Sequence, residues 1–322
     1  MDNSTPESPR YRGCIVALVV PCYNEEATVA QVIRAFRAAM PATHIHVFDN
    51  ASSDATAAIA RQEGANVISV PLRGKGNAVR RMFADVEADV YVMVDGDATY
   101  DAASIHLLVD KLIDERLDMV VGCRRTAAED ASDAYRRGHQ WGNRMLTGSV
   151  VRIFGGTFSD MLSGYRAFSR RYAKTFPALS HGFEIETELT VHALELRMPY
   201  GEVQTPYGSR PEGSQSKLST YKDGLKIAWT IARLYVSERP LTFFLACAVV
   251  LAATSALLSI PVLFEFLESG LVRRLPTAVL CASLMLMAML SLSCGLILDN
   301  VTRARREIKR LVYLGIPAIA KV

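Results

Sequence analysis

The sequence predicts an α/β domain built on a mainly parallel sheet, followed by an amphipathic helix and a two-helix transmembrane hairpin. Three observations carry this. Between Cys14 and Val94, short β-rich apolar runs alternate with helical patterns. Polar and charged residues gather just after each apolar run. From Leu241 onward, the composition changes to two long uncharged stretches.

Taken in order, "CIVALVV" (14–20) reads as a strand, and "NEEATVAQVIRAFRAA" (24–39) as a helix with Val29, Val32, Ile33 and Phe36 on one face. "HIHVF" (44–48) is a strand, 54–62 a helix, "NVISV" (66–70) a strand, 77–86 a helix and "VYVMV" (90–94) a strand. Alternation at this pitch implies right-handed βαβ units and parallel strands. In such sheets ligands bind outside the carboxyl ends of the strands. Those ends carry Tyr23, Asn24 and Glu25, then Asp49 and Asn50, then Arg73 and Lys75, then Asp95 and Asp97. Further on, "HGFEIETELTVHALELRM" (181–198) is a helix with Glu184, Glu186 and Glu188 in its first turn, where negative charge suits the helix dipole whatever the function.

Residues 241–264 and 277–298 hold no charge, and each is long enough to span a bilayer as helix. "RARREIKR" (303–310) follows the second, and Lys222, Lys226, Arg233 and Arg239 precede the first. The positive-inside rule then places both termini in the cytoplasm at the inner membrane. Residues 219–240 form a basic amphipathic helix, with Leu225, Ala228, Trp229, Ala232 and Val236 at helical spacing, suited to lie in membrane lipid headgroups or to pack on the preceding domain. The expected organisation is a disordered tail (1–12), the α/β domain (13–218), the interfacial helix (219–240), the hairpin (241–300) and a basic cytoplasmic tail (301–322). Small residues on the spans, among them Ala252, Ala256, Ser291 and Gly295, would allow close helix packing and a homo-oligomer.

Composition excludes some functions. With 36 Lys+Arg against 33 Asp+Glu, net charge +3 does not mark a nucleic-acid binder. The six cysteines have no CxxC spacing, and the six histidines have no metal-site spacing. The paired carboxylates of "VDGDATYD" are different. Asp95 and Asp97 are hard oxygen ligands at a strand end, suited to Mg²⁺ or Mn²⁺ held together with substrate phosphates.

As a set, "VVPCYNEEATV", "VFDNASSDAT", "RGKGNAVRRMF" and "VDGDATYD" resemble the successive motifs of family 2 glycosyltransferases with the Rossmann-like GT-A fold. "DMLSGYRAFSR" and "GSQSKLSTYKDGLKI" are similar to the polyprenyl-phosphate glycosyltransferases, the group of dolichyl-phosphate mannose synthase and the bacterial undecaprenyl-phosphate glucosyltransferases. The resemblance spans about residues 15–240. It implies nucleotide contacts at Pro21, Tyr23, Glu25, Asp49 and Lys75, with Asp95 and Asp97 at the ribose, diphosphate and metal. It also implies an acid at Asp160, catalytic or structural. Mannose synthases often carry Gln where this chain has Thr99, which leaves a third metal ligand open.

A lipid phosphate is largely dianionic at neutral pH and can attack a sugar C1 without a strong base, so its site needs cations. The candidates are Arg124, Arg137 (or Gln140 in its place), Arg166, Arg210, Ser216 and Lys217, and Glu184 or Glu186 is a candidate for touching the sugar. The expected activity is inverting transfer of a hexose or N-acetylhexosamine from a UDP-linked donor to undecaprenyl or another polyprenyl phosphate. Alternatives are a GDP-mannose enzyme, or a membrane-anchored nucleotide-sugar binding module without catalysis.

Overall fold

A computed structural model describes residues 9–126, 145–182, 184–208, 211 and 220–319, with the side chains at 126 and 220–224 left out. Two units are described separately: the residues up to Thr230 together with those from Lys309 onward, and Ile231–Ile308.

The first unit is a seven-stranded sheet. Its strands are β1 (Val16–Cys22), β2 (Thr43–Asp49), β3 (Asn66–Ser69), β4 (Val90–Met93), β5 (Met119–Thr126), β6 (Arg166–Ser169) and β7 (Tyr200–Tyr207), in the order β3-β2-β1-β4-β6-β5-β7. β1 pairs in parallel with β2 and β4, and β5 in parallel with β7. Only β6 runs the other way, between β4 and β5. The carboxyl ends of the other six strands therefore share one edge with the start of β6. Helices α1 (Val29–Ala39), α2 (Thr56–Gln62), α3 (Lys75–Asp85), α4 (Ile105–Asp114), α5 (Met145–Phe154), α6 (Arg170–Thr175) and α7 (Ile185–Leu196) complete the domain.

The apolar runs of β1 and β4 have no polar alternation because both sheet faces are covered. Val16, Leu18 and Val20 enter one core cluster with Val32, Ile33 and Phe36 of α1. Ala17 and Val19 enter another with Val79, Met82 and Phe83 of α3. α1 begins at Val29, later than the sequence pattern suggests, because 24–28 is spent on a turn. Asn24 takes φ +51°, and the Glu25 carbonyl accepts from the Thr28 and Val29 amides.

Of the second unit, α9 (Pro240–Ser269) and α10 (Leu275–Leu314) are long and apolar enough to cross a membrane. They approach through small residues. Cys281, Ala288, Gly295 and Thr302 are buried at seven-residue spacing on α10, the repeat that keeps one helix face against another. A Cβ at Gly295 would lie 2.9 Å from Phe244 Cβ. Ser255 and Ser291 donate across the pair, to the Cys281 and Phe244 carbonyls. Arg306 and Thr302 bond the last carbonyls of α8 (Thr220–Glu238), at Glu238 and Ser237.

The segment expected as a basic cytoplasmic tail after the second span begins as helix. α10 continues to Leu314, since Arg, Glu and Lys are good helix formers. Lys309 pairs with Glu195 at 2.9 Å, and Tyr313 donates to the fully buried Asp118 at 2.8 Å under the Arg171 guanidinium. Ile319 packs on the sheet core.

Candidate active site

At the shared strand edge lie several buried charged residues, Lys75, Asp97 and Glu186 among them. Asn50, just past β2, is the fixed point of the loop after β3. Its Nδ2 donates to the Leu72 and Val70 carbonyls, and its Oδ1 accepts from the Gly74 amide at 2.6 Å. Gly74 holds φ +125°, and added Cβ atoms at Gly74 and Gly76 would each lie 2.1 Å from the carbonyl oxygens of His181 and Ser180. Only glycine permits this approach. The loop before α7 is tied down in turn by Glu188, which accepts from the Leu179 and Ser180 amides at 2.8 Å each. Two segments distant in sequence, 72–76 and 178–186, are thus locked together.

That lock sets Lys75 Nζ 2.5 Å from Asp95 Oδ1 and 2.5 Å from Glu186 Oε1. The Lys75 and Glu186 side chains are almost wholly buried, while that of Asp95 is partly open. Burial works to discharge Lys75, but Asp95 and then Glu186 outweigh it and hold the ammonium well above its usual range. Burial raises the Glu186 carboxyl, against the pull of Lys75. Gly164, at the turn into β6, faces Asp95 so closely that a Cβ would sit 2.5 Å from Oδ2. The Gly164 amide donates to the Tyr100 hydroxyl.

Asp97 is 6% exposed, and its Oδ1 accepts from Thr99 Oγ1 at 2.6 Å. Thr99 therefore orients the second carboxylate. Thr28 Oγ1 donates to the Gly96 carbonyl and fixes the backbone between the two acids. Asp95 and Asp97 fit a divalent ion shared with a diphosphate, which needs one or two carboxylates rather than a full protein cage. Among the described residues, no group of three or more acidic, His or Cys side chains stands ready for a metal by itself.

The other expected residues divide. Pro21 is half-buried in β1, Asp49 accepts from the Ser52 amide, the Glu25 amide donates to Thr56, and Tyr23 lies under the Arg73 guanidinium at 5.1 Å. All lie at or beside the ends of β1 and β2. Asp160 receives both arms of Arg124, at 2.8 Å each, at the end of β5. Glu184 accepts locally from the Gly182 amide. Arg137, Arg210, Ser216 and Lys217 lie outside the described residues.

Arg166, expected among the cations for the acceptor phosphate, is bonded within its own domain. It is 0% exposed, with Nε donating to the Ser163 carbonyl, Nη1 to Thr190 Oγ1 and Nη2 to the Met161 carbonyl. Burial lowers its pKa. Two of these bonds hold the turn at 161–163, which leads to Gly164. Gly164 and Tyr100 were not singled out from sequence; the "SGYR" stretch was the available signal.

Comparison with known proteins agrees with this geometry. Residues 17–176 match the family described as Glycosyl transferase family 2. Glycosyltransferase AglJ of Haloferax volcanii is 33% identical over 301 residues, covering 93% of this chain and 98% of that protein. A dolichyl-phosphate hexose transferase of the same organism is 27% identical over 230 residues, covering 70% and 95%. Among solved structures, glucosyl-3-phosphoglycerate synthase from Mycobacterium tuberculosis in complex with Mn²⁺, UDP-glucose and phosphoglyceric acid aligns with TM-score 0.55 at 24% identity, covering 70% of this chain and 79% of that one. That likeness is one of fold. Strand order, the acids at the strand ends and a relative matched over nearly its whole length lead to one statement: the chain belongs to glycosyl transferase family 2.

Proposed function

We propose that this protein transfers a sugar, with inversion, from a nucleoside diphosphate donor to a polyprenyl phosphate at the cytoplasmic face of a membrane. The observation that carries the reading is the Lys75–Asp95–Glu186 cluster at the strand ends, in a chain that also bears two helices apolar enough to span a bilayer. The relative named a dolichyl-phosphate hexose transferase supports a lipid phosphate as acceptor.

In this reading the nucleoside lies over the ends of β1 and β2, against Pro21, Tyr23, Glu25 and Asp49. The diphosphate reaches Asp95 and Asp97, which would hold Mg²⁺ or Mn²⁺. Such an ion supplies positive charge against the departing diphosphate. An oxygen of the acceptor phosphate attacks the sugar C1, the bond from C1 to the diphosphate oxygen breaks, and the nucleoside diphosphate leaves. The acceptor is already an anion, so no side chain has to take a proton from it. Arg124, steadied by Asp160, would meet the acceptor phosphate, and Arg137, Arg210, Ser216 and Lys217 are its further candidate partners. Arg303, Arg305, Arg306 and Arg310 following the second span favour a cytoplasmic catalytic domain.

The test is direct. Detergent-purified full-length protein with Mn²⁺, UDP-glucose, UDP-N-acetylglucosamine or GDP-mannose, and a short polyprenyl phosphate should release nucleoside diphosphate and form a lipid-linked sugar with one of the donors. Release that is indifferent to the lipid phosphate would overturn the acceptor assignment.

A further inference from the structure

Small residues of the two apolar helices are spent inside the hairpin. Gly295 and Ser291 of α10 lie against Phe244, and Ser255 of α9 donates to the Cys281 carbonyl. A partner from outside has to use another face of α10, and one is laid out for it. Cys294, Ile297, Val301, Ala304, Ile308 and Leu311 follow one another at alternating steps of three and four residues, and every one is exposed. That is the a/d repeat of a coiled coil. Its cytoplasmic part has β-branched Val301 and Ile308 at a, with Leu311 at d, the choice that favours two parallel strands. No charge interrupts the row.

Lipid covers the first part of such a stripe but not its end. The uncharged stretch closes at Leu298, and Ile308 and Leu311 lie about 15–20 Å further along the same helix. The headgroup layer beyond the hydrocarbon is only about 5–8 Å deep. Yet Ile308 and Leu311 are 63% and 69% exposed. The chain itself supplies no cover. Lys309 and Tyr313, on the adjoining face, are the residues that bond Glu195 and Asp118. The stretches outside the described residues, 1–8, 127–144, 212–219 and 320–322, are polar or short and hold no apolar run.

We infer that α10 pairs with the α10 of a second copy of this chain, along a parallel seam that leaves the bilayer through Val301, Ile308 and Leu311. Two copies inserted alike in one membrane are related by a twofold axis along its normal, so the helices run the same way and each a residue meets its own counterpart. The inference draws on α10 as a membrane-crossing helix and not on the donor or the acceptor.

The experiment is disulfide crosslinking of the full-length protein in native membranes with copper phenanthroline, with Cys247→Ser in every sample. Cys294, at an a position, should give a covalent dimer, and Cys294→Ser should abolish it. Ile308→Cys on the Cys294→Ser chain should restore the dimer at several-fold the yield of Arg310→Cys, whose side chain leaves the helix on another face and cannot bring two sulfurs within bonding distance. In detergent, light scattering should find two chains per particle for wild type and one for Ile308→Glu/Leu311→Glu, with melting unchanged because both side chains are exposed. Equal crosslinking at 308 and 310, or a double variant that stays paired, would overturn the seam. A monomeric wild type whose Ile308→Cys thiol resists a water-soluble maleimide would overturn it too, by giving the stripe to lipid.

Discussion

The Gly74 amide donates to Asn50 Oδ1 at 2.6 Å, so the residue just past β2 holds the loop that delivers Lys75 from β3 to α3. Asn50 adds two further bonds, to the Val70 and Leu72 carbonyls. Asn50→Ala removes all three. At about 0.5–1.5 kcal/mol per bond, a loss of about 2–3 kcal/mol in unfolding free energy is expected. Nucleoside diphosphate affinity should fall with it, because Lys75 is no longer aimed. Hydrogen exchange at residues 72–76 is the check, and protection equal to wild type would refute the link.

Asp97→Asn separates charge from shape. The amide oxygen can still accept from Thr99 Oγ1, so melting should change little. What disappears is one of the two anionic ligands proposed for the ion beside the diphosphate. Stabilisation worth several kcal/mol should be lost, and each 1.36 kcal/mol is about a factor of ten in rate, so transfer should drop at least about a hundredfold. Turnover measured across a Mn²⁺ titration decides it; near-normal rates at any concentration would remove Asp97 from the metal site.

Arg166→Ala should act on the fold. Three donors to Ser163, Met161 and Thr190 vanish from a site with no solvent to replace them. Bonds from a charged donor are worth about 1.5–3 kcal/mol each, so a cost of about 3–5 kcal/mol is expected, with KM for donor and for lipid rising together as the Gly164 turn loosens. A stable variant with only the lipid KM raised would restore Arg166 to the acceptor site.

The sequence made the strand ends legible because their signal is local. An apolar run followed by acids needs no knowledge of the rest of the fold. Asp95, Asp97 and Lys75 were found in this way, as were the two long apolar helices. The burial of Arg166 was not legible, for the opposite reason. Whether an arginine is solvated or buried depends on carbonyls turned toward it, and nothing in "SGYRAFSR" announces that the 161–163 carbonyls face inward. Among three glutamates in one helix turn, the sequence could not tell that Glu188 ties a loop while Glu186 meets Lys75, since that contact joins segments on either side of three strands. The bond from Tyr313 to Asp118 was likewise not legible, because its two ends are far apart in the sequence.

His192 makes stability depend on pH. It sits between Tyr172 and Phe176, with Thr175 at 3.3 Å from Nε2, and burial pushes its pKa down to about 3, with Lys309 adding to the shift. Against an unfolded value of about 6.5, the unfolded chain binds a proton that the folded one refuses. The contribution is complete above about pH 6.5 and is lost as pH falls from there toward about 3, at roughly 1.4 kcal/mol per pH unit. Denaturant unfolding between pH 7 and pH 4.5 should show this slope beyond the general effect of the carboxylates. His192→Phe should flatten it; an unchanged slope would place the proton uptake elsewhere.

α8 carries the last prediction. Its Ile227 and Ile231 are buried, whereas Leu225 and Trp229, one turn apart, are 74% and 72% exposed, and Lys226 and Arg233 are exposed on the same helix. A Leu–Trp face left in water beside cations is poorly suited to a free surface and well suited to the headgroup layer, where the ring finds both apolar and polar neighbours. A polyprenyl chain stays in the bilayer, because exposing each CH₂ costs about 0.8 kcal/mol. The phosphate therefore has to be met at the membrane surface. Replacing Leu225 and Trp229 with Ser should lower transfer to full-length polyprenyl phosphate in anionic vesicles several-fold. With a short, water-soluble polyprenyl phosphate in detergent, the same variant should match wild type, since no surface has to be found. Equal loss in both assays would mean that this face supports the fold, and no loss in vesicles would mean that the two apolar helices alone bring the site to its lipid.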